Sequence, residues 1–218
     1  MNEKAFVIKE KYTYEDLVAL VACLRSPEGC PWDRVQDHHS IRNCLLEECY
    51  EALEGIDNDD PALLCEELGD ILLQVVFHAR ISEEEGGFSI DDVADGVCKK
   101  MVRRHPHVFG NERADTAGAV RANWEEIKRK EKGTSSVRGN MERVAKTLPS
   151  LIRTQKLLSK AEKGGFAEPC ADPGDEEQLI KDYFALCARA NALGVSLEEK
   201  AYRANEEYIE TIEKKEED

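Results

Sequence analysis

The chain has 218 residues, 34% charged and 41% hydrophobic, and its 45 acidic side chains outweigh 30 basic ones for a net charge of −15. That length suits one or two small domains, and so acidic a balance argues against non-specific binding to nucleic acid or to an anionic membrane. The eight cysteines include no Cys-x-x-Cys pair, and Cys49 and Cys65 fall within apolar stripes, so they read as reduced thiols of a cytoplasmic protein rather than as disulfides or zinc ligands. Met1 to Glu10 alternates charged and apolar residues, unlike a signal peptide, and no apolar run reaches the length of a membrane span.

Taken in order, Leu17, Leu20, Val21 and Leu24 recur at helical spacing and predict a first helix over Tyr14 to Arg25 with Thr13 as N-cap. Ser26-Pro27-Glu28-Gly29 ends it, and Cys30-Pro31-Trp32-Asp33 reads as a loop with Trp32 as a packing anchor. His38 and His39 are adjacent, so their side chains point apart and do not share a metal. Ser40 is the expected cap of a helix to about Ile56, with Leu45, Cys49, Ala52, Leu53 and Ile56 as its core stripe. Asp60 and Pro61 supply N-cap and first turn of the next helix, which runs to about Ser82. The short turn between the two predicts an antiparallel hairpin.

Gly86-Gly87 breaks the chain, and Ser89 with Asp92 forms a capping box for a helix that carries Val93, Val97 and Met101 and stops at His105-Pro106. Lys99, Lys100, Arg103 and Arg104 crowd its last turns. They either complement the helix dipole or clamp phosphate, a task suited to the bidentate arginine fork. Asn123 to Lys128 belongs to a charged helix in which Trp124 either packs or offers a ring for stacking. The polar stretch from Gly133 to Asn140 reads as a mobile loop. The expected organisation is a domain over 1–132, a linker over 133–141 and a second helical segment over 142–218, broken at Pro149 and frayed at its acidic and basic end.

The acids of the hairpin carry the functional signal. Glu47, Glu48 and Glu51 lie on the first helix, and Glu66, Glu67 and Asp70 on the second, three or four residues apart, so each helix presents acids on one face. Around the second helix, Leu64, Leu68, Ile71, Leu72, Leu73, Val75, Val76 and Phe77 leave a single polar stripe of Glu67, Asp70, Gln74 and His78. A helix apolar nearly all round is buried, so that stripe faces the protein. Four carboxylates brought together raise one another's pKa values unless a divalent cation neutralises them, and an all-oxygen set suits Mg²⁺, with Mn²⁺ as a substitute. The plain alternative is a solvated acidic face.

The words around these acids resemble those of the MazG family. Cys30-Pro31-Trp32-Asp33, Leu45-Leu46-Glu47-Glu48, Glu66-Glu67-Leu68-Gly69-Asp70 and Arg103-Arg104-His105-Pro106-His107-Val108-Phe109-Gly110 stand in MazG order, and the acids resemble the EExxE…ExxD signature of all-α nucleoside triphosphate pyrophosphohydrolases. The resemblance implies an all-α helical bundle that forms a homodimer and cleaves nucleoside triphosphates between the α and β phosphates, with Mg²⁺. It implies metal ligands at Glu48, Glu51, Glu67 and Asp70, with Glu47 beside them to hold water. Lys100, Arg103 and Arg104 would meet the triphosphate, and Trp124 and Lys128 would complete the nucleotide contacts.

Long MazG chains have two such halves. Here Asp175-Glu176-Glu177 leading into Tyr183-Phe184-Ala185-Leu186 faintly repeats the second hairpin helix, but Gly165 to Gly174 leaves no room for an EExxE helix, and the spacing around Asp182 is lost. The second half is therefore expected to be a degenerate repeat used for packing or dimerisation. Two rival readings remain: a non-catalytic acidic interaction module, and a pyrophosphatase for a non-standard nucleotide. A di-iron bundle is disfavoured because its Glu-x-x-His pairs are absent from the hairpin.

Overall fold

The computed structural model describes residues 6–132, 136–167, 170 and 174–217. Every helix or strand segment among them is helical, as the sequence pattern predicts. The chain divides into two compact units, Met1–Arg113 and Ala114–Asp218, parting ahead of the boundary expected at 132.

In unit 1 the local signals set the helix ends. α1 (Tyr14–Arg25) begins at a capping box in which Thr13 and Asp16 each satisfy the other's backbone amide. α4 (Pro61–Glu84) begins where Asp60 accepts from the amides of Ala62 and Leu63, and α5 (Ile90–Arg104) begins at the Ser89–Asp92 box. α6 (Pro106–Phe109) follows the break at His105. Two expectations fail. Cys30-Pro31-Trp32-Asp33 is not loop throughout, since α2 (Pro31–Arg34) is a helical turn started by its proline, and Trp32 is 62% exposed rather than an anchor. Nor does Ser40 cap α3 (Arg42–Asp57): its amide donates to Asp37 Oδ1 and its hydroxyl to the Asp37 carbonyl in a separate turn, and Ile41 stands at the uncapped start.

The core of unit 1 gathers Val21 of α1, Ile41, and Val76, Phe77 and Ile81 of α4. Arg25 ties its edge together. Its guanidinium is buried, holds Glu84 through Nη2 at 2.8 Å, donates from Nη1 to the carbonyls of Asp33 and Gln36, and lies over the Phe77 ring. The C-terminal half of α4 is thus covered by α1, while its N-terminal half runs along α3. The all-round burial predicted for α4 does not hold there, because Leu68 is 53% exposed. On α3, Ala52 and Gly55 are buried, whereas Cys49, Leu53 and Ile56 of the expected core stripe are exposed and Leu45 is half-buried. One helix can be covered on only as many sides as it has neighbours, and among the described residues of unit 1 this end of the hairpin has no third layer.

Unit 2 contains α7 (Ala117–Lys132), α8 (Val137–Glu142), α9 (Ser150–Lys163), α10 (Glu176–Ala192) and α11 (Leu197–Glu217). The expected linker over 133–141 lies outside the described residues at 133–135, and beyond them it is helix: Ser136 caps α8 through the Gly139 amide. α8, α9 and α11 enclose Met141, Val144, Leu157, Ala161, Ile209 and Ile212. Glu216 of α11 accepts from the amides of Val137 and Arg138, and the fully buried Arg153 pairs with Glu206 at 2.7 Å. The tail expected to fray continues α11 to Glu217, with Asp218 outside the described residues. Of the stretch between Gly165 and Gly174, residues 168, 169 and 171–173 also lie outside them.

Candidate active site

α3 and α4 are joined by a three-residue turn in which Asp59 takes a left-handed conformation, φ +50°, and Asp60 starts α4. The helices then return antiparallel and close together. A side chain at Gly55 would bring its Cβ within 2.8 Å of the Leu64 amide, so glycine is what permits the approach. At this separation the two acidic faces meet. Carboxylate oxygens of Glu48, Glu67 and Asp70 lie within 4.8 Å of one another. Glu51 stands beside them, and its charge acts on both Glu48 and Glu67.

The electrostatics of this cluster are uncompensated. Burial pushes the Glu48 carboxyl above its ordinary range, and the charges of Asp70, Glu51 and Glu67 push in the same direction. Burial likewise raises Glu67, only 7% exposed, with Glu51, Asp70 and Glu66 adding to the effect. Acids brought this close together and away from water are arranged against their own ionisation. A hard divalent cation is the partner that reverses this, since carboxylate oxygens alone form the donor set. The cluster is therefore a candidate metal site of oxygen ligands.

The remaining predicted residues are distributed as follows. Glu47 is exposed on α3, a neighbour of the cluster in sequence rather than one of the three acids that converge. Lys100, Arg103 and Arg104 stand in the last two turns of α5, which packs on α4, with Lys100 and Arg104 half-buried and Arg103 exposed. Trp124 and Lys128 lie on α7 in unit 2, where Lys128 pairs with Glu125 at 3.1 Å. The sequence reading missed one contact altogether. His38, set aside because it does not share a metal with His39, instead places its Nδ1 2.8 Å from Nδ1 of His78, the last member of the polar stripe on α4. No local pattern signals this pair, since it joins residues forty positions apart.

Two antiparallel helices that bring carboxylates together within an all-helical unit fit the all-α nucleotide pyrophosphohydrolases that the sequence resembles. Comparison with known proteins narrows that class. The MazG nucleotide pyrophosphohydrolase domain matches residues 36–109, from the connector before α3 to the end of α6. The nucleoside triphosphate pyrophosphohydrolase/pyrophosphatase MazG of Thermotoga maritima is 36% identical over 223 residues, covering 94% of this chain and 86% of that protein. The nucleoside triphosphate pyrophosphohydrolase of Escherichia coli K12 is 40% identical over 151 residues, 69% of this chain and 57% of that protein. A Bacillus subtilis protein, YabN, is 49% identical over 152 residues, 68% of this chain and 31% of its own length. The chain belongs to the MazG nucleotide pyrophosphohydrolase family.

Proposed function

We propose that this chain is a Mg²⁺-dependent nucleoside triphosphate pyrophosphohydrolase that cleaves between the α and β phosphates, releasing a nucleoside monophosphate and pyrophosphate. The observation that carries the reading is the convergence of Glu48, Glu67 and Asp70, with Glu51 beside them, in a place where burial and mutual repulsion hold carboxyls above their ordinary pKa range. Glu48, Glu51, Glu67 and Asp70 hold the ion, Mg²⁺ by preference and Mn²⁺ as a substitute, through carboxylate oxygens. When bound, such an ion neutralises phosphate charge and lowers the pKa of a coordinated water. Glu47 orients the attacking water and accepts its proton. Lys100, Arg103 and Arg104 meet the phosphate oxygens as charge develops on the leaving group, and Trp124 and Lys128 contact the nucleotide.

Three further readings accompany this one. The exposed apolar residues Tyr50, Leu53 and Ile56 of α3 with Leu68 of α4 form a face that a second copy of the chain covers in a homodimer. The second unit, a degenerate repeat, serves packing or that association. Eight free cysteines suit a reducing, cytoplasmic setting.

The test is a product assay across the common NTPs and dNTPs, with and without Mg²⁺, that resolves pyrophosphate from orthophosphate. Magnesium-dependent release of pyrophosphate with monophosphate is the expected result. Orthophosphate as the first product, or turnover unaffected by a chelator, overturns the reading. Sedimentation of the same preparation checks the dimer.

A further inference from the structure

The contact between His38 and His78 has a geometry that limits what it can be. Their Nδ1 atoms are 2.8 Å apart, the ring planes differ by 11° and the centroids lie 5.1 Å apart. Two nearly parallel rings with nitrogens this close and centroids this far meet edge to edge rather than face to face. Each nitrogen then lies on the other's lone-pair line, which is a hydrogen bond with room for one proton and no space for a metal between. One ring must donate from Nδ1–H and the other accept at a bare Nδ1, so at least one imidazole is neutral.

The location gives that bond a task. His38 lies in the connector, residues 35–41, between α2 and α3. The connector's near end is fixed by Arg25, which accepts no other role at the Gln36 carbonyl than that of donor at 3.0 Å. Its far end is Ile41, buried in the core at the start of α3. That start has no side-chain cap, so only the backbone bonds of the preceding turn, such as the Ile41 amide to the Asp37 carbonyl, and tertiary contacts hold it. His78 is two turns along α4 from Asp70, on the same stripe.

We propose that His38 and His78 form a one-proton clasp that holds the connector, and with it the start of α3, against α4, positioning Glu48 opposite Glu67 and Asp70, and that a second proton opens it. The charged groups around the clasp do not substitute for its proton. On α4, Arg80, Glu83 and Glu84 are engaged with one another and, through Glu84, with Arg25 of α1. On the connector, Asp37 is occupied by the amides of His39 and Ser40, and His39 is exposed. Burial lowers the pKa of His78, and the charge of His38 lowers it further. Because the folded value lies below the ordinary 6.5, the unfolded chain takes up the proton first. The clasp's stabilisation is therefore present above that pH and lost as pH falls below it.

The test is a double-mutant cycle in the full chain, His38→Asn, His78→Asn and both together, followed by thermal unfolding at about pH 7.5 and about pH 5.5, either side of the ordinary histidine range. At the higher pH each single variant lowers the melting temperature by about 2–4 °C, and the double variant by no more than either single. At the lower pH the coupling vanishes. Losses that add at both pH values overturn the clasp, as does long-range histidine nitrogen NMR in which the two rings titrate independently at ordinary values. The positioning role is read from the Mg²⁺ requirement. His38→Asn raises the half-saturating concentration several-fold while the rate at saturating metal is retained, and a lower rate with an unchanged requirement overturns it. This last readout rests on the proposed metal site. The unfolding cycle and NMR do not, so a failed clasp and a failed pyrophosphohydrolase reading give different results.

Discussion

In unit 1, α4 runs beside α3, and its acids meet those of the neighbour across a seam that Gly55 keeps narrow. In unit 2, α10 carries a similar pattern, with Glu176 and Glu177 in its first turn, Asp182 beyond and apolar residues between. There the acids remain separate and exposed: Asp182 accepts from Gln178 of its own helix, and Glu177 pairs with Lys181. Phe184 of α10 is 67% exposed. The sequence departs from the repeat just before α10, where the EExxE helix would stand. An acidic helix thus brings its carboxylates into a cluster where a second acidic helix opposes it. The buried polar residues of unit 2 show the other outcome, since there opposite charges meet, Arg153 against Glu206, and Asn205 bonds with Ser150 and Thr154.

The contrast is broken most severely at Glu67. Glu67→Gln is expected to lower turnover at least ~100-fold, since direct ligands matter more than the outer groups whose loss costs 10–100-fold, while Asp182→Asn leaves the rate unchanged. Equal effects would erase the distinction between the units. The next largest effect is on stability. Leu157→Ala empties a fully buried position in unit 2 and should cost about 2–5 kcal/mol in denaturant unfolding.

Acid titration separates the units by sign. Glu48 and Glu67, held above their ordinary 4.5, contribute stability that is present below that pH and lost as pH rises through their folded values. Metal-free protein should therefore gain from mild acidification at this site, and Mg²⁺ should abolish the gain. For Glu206, burial pulls upward, but the Lys146 hydrogen bond and the charges of Arg153 and Lys146 prevail and lower it. Its contribution is present above 4.5 and lost as pH falls. Melting temperatures of wild type and Glu206→Gln between neutral pH and the carboxylate range, with and without metal, check both signs.

The smallest effect sharpens the question of what covers the hairpin. A Cβ at Gly69 meets nothing within 4 Å, so Gly69→Ala should stabilise the lone chain by about 0.5–1 kcal/mol through helix propensity. A loss in concentration-dependent unfolding would mean that a second copy occupies that space.

What the sequence disclosed followed the range of the interactions involved. Thr13 with Asp16, Asp60 with Pro61, and Ser89 with Asp92 act within one turn, and these helix starts are where the pattern puts them. The acidic cluster was legible because its spacing is helical on both helices of the hairpin and the turn is short. Ser40 offered the right chemistry for a cap, but Asp37 engaged it first. Trp32 and Leu68 show a different limit: apolar character says that a side chain gains from being covered, and says nothing of whether the cover lies in the same unit. His38–His78 and Arg25–Glu84 depend on the placement of whole helices, which no single stretch encodes.

The turn at Asn58-Asp59-Asp60 has a consequence for how this chain can change over generations. A helix advances 100° and about 1.5 Å per residue, so a single insertion or deletion between Asp57 and Pro61 that is absorbed by α4 would swing Glu67 and Asp70 off the seam without altering either acid. Most surface connections tolerate length variation. This one sets the angular phase of the carboxylates, so a frameshift-free indel there should be as damaging as losing one of the acids.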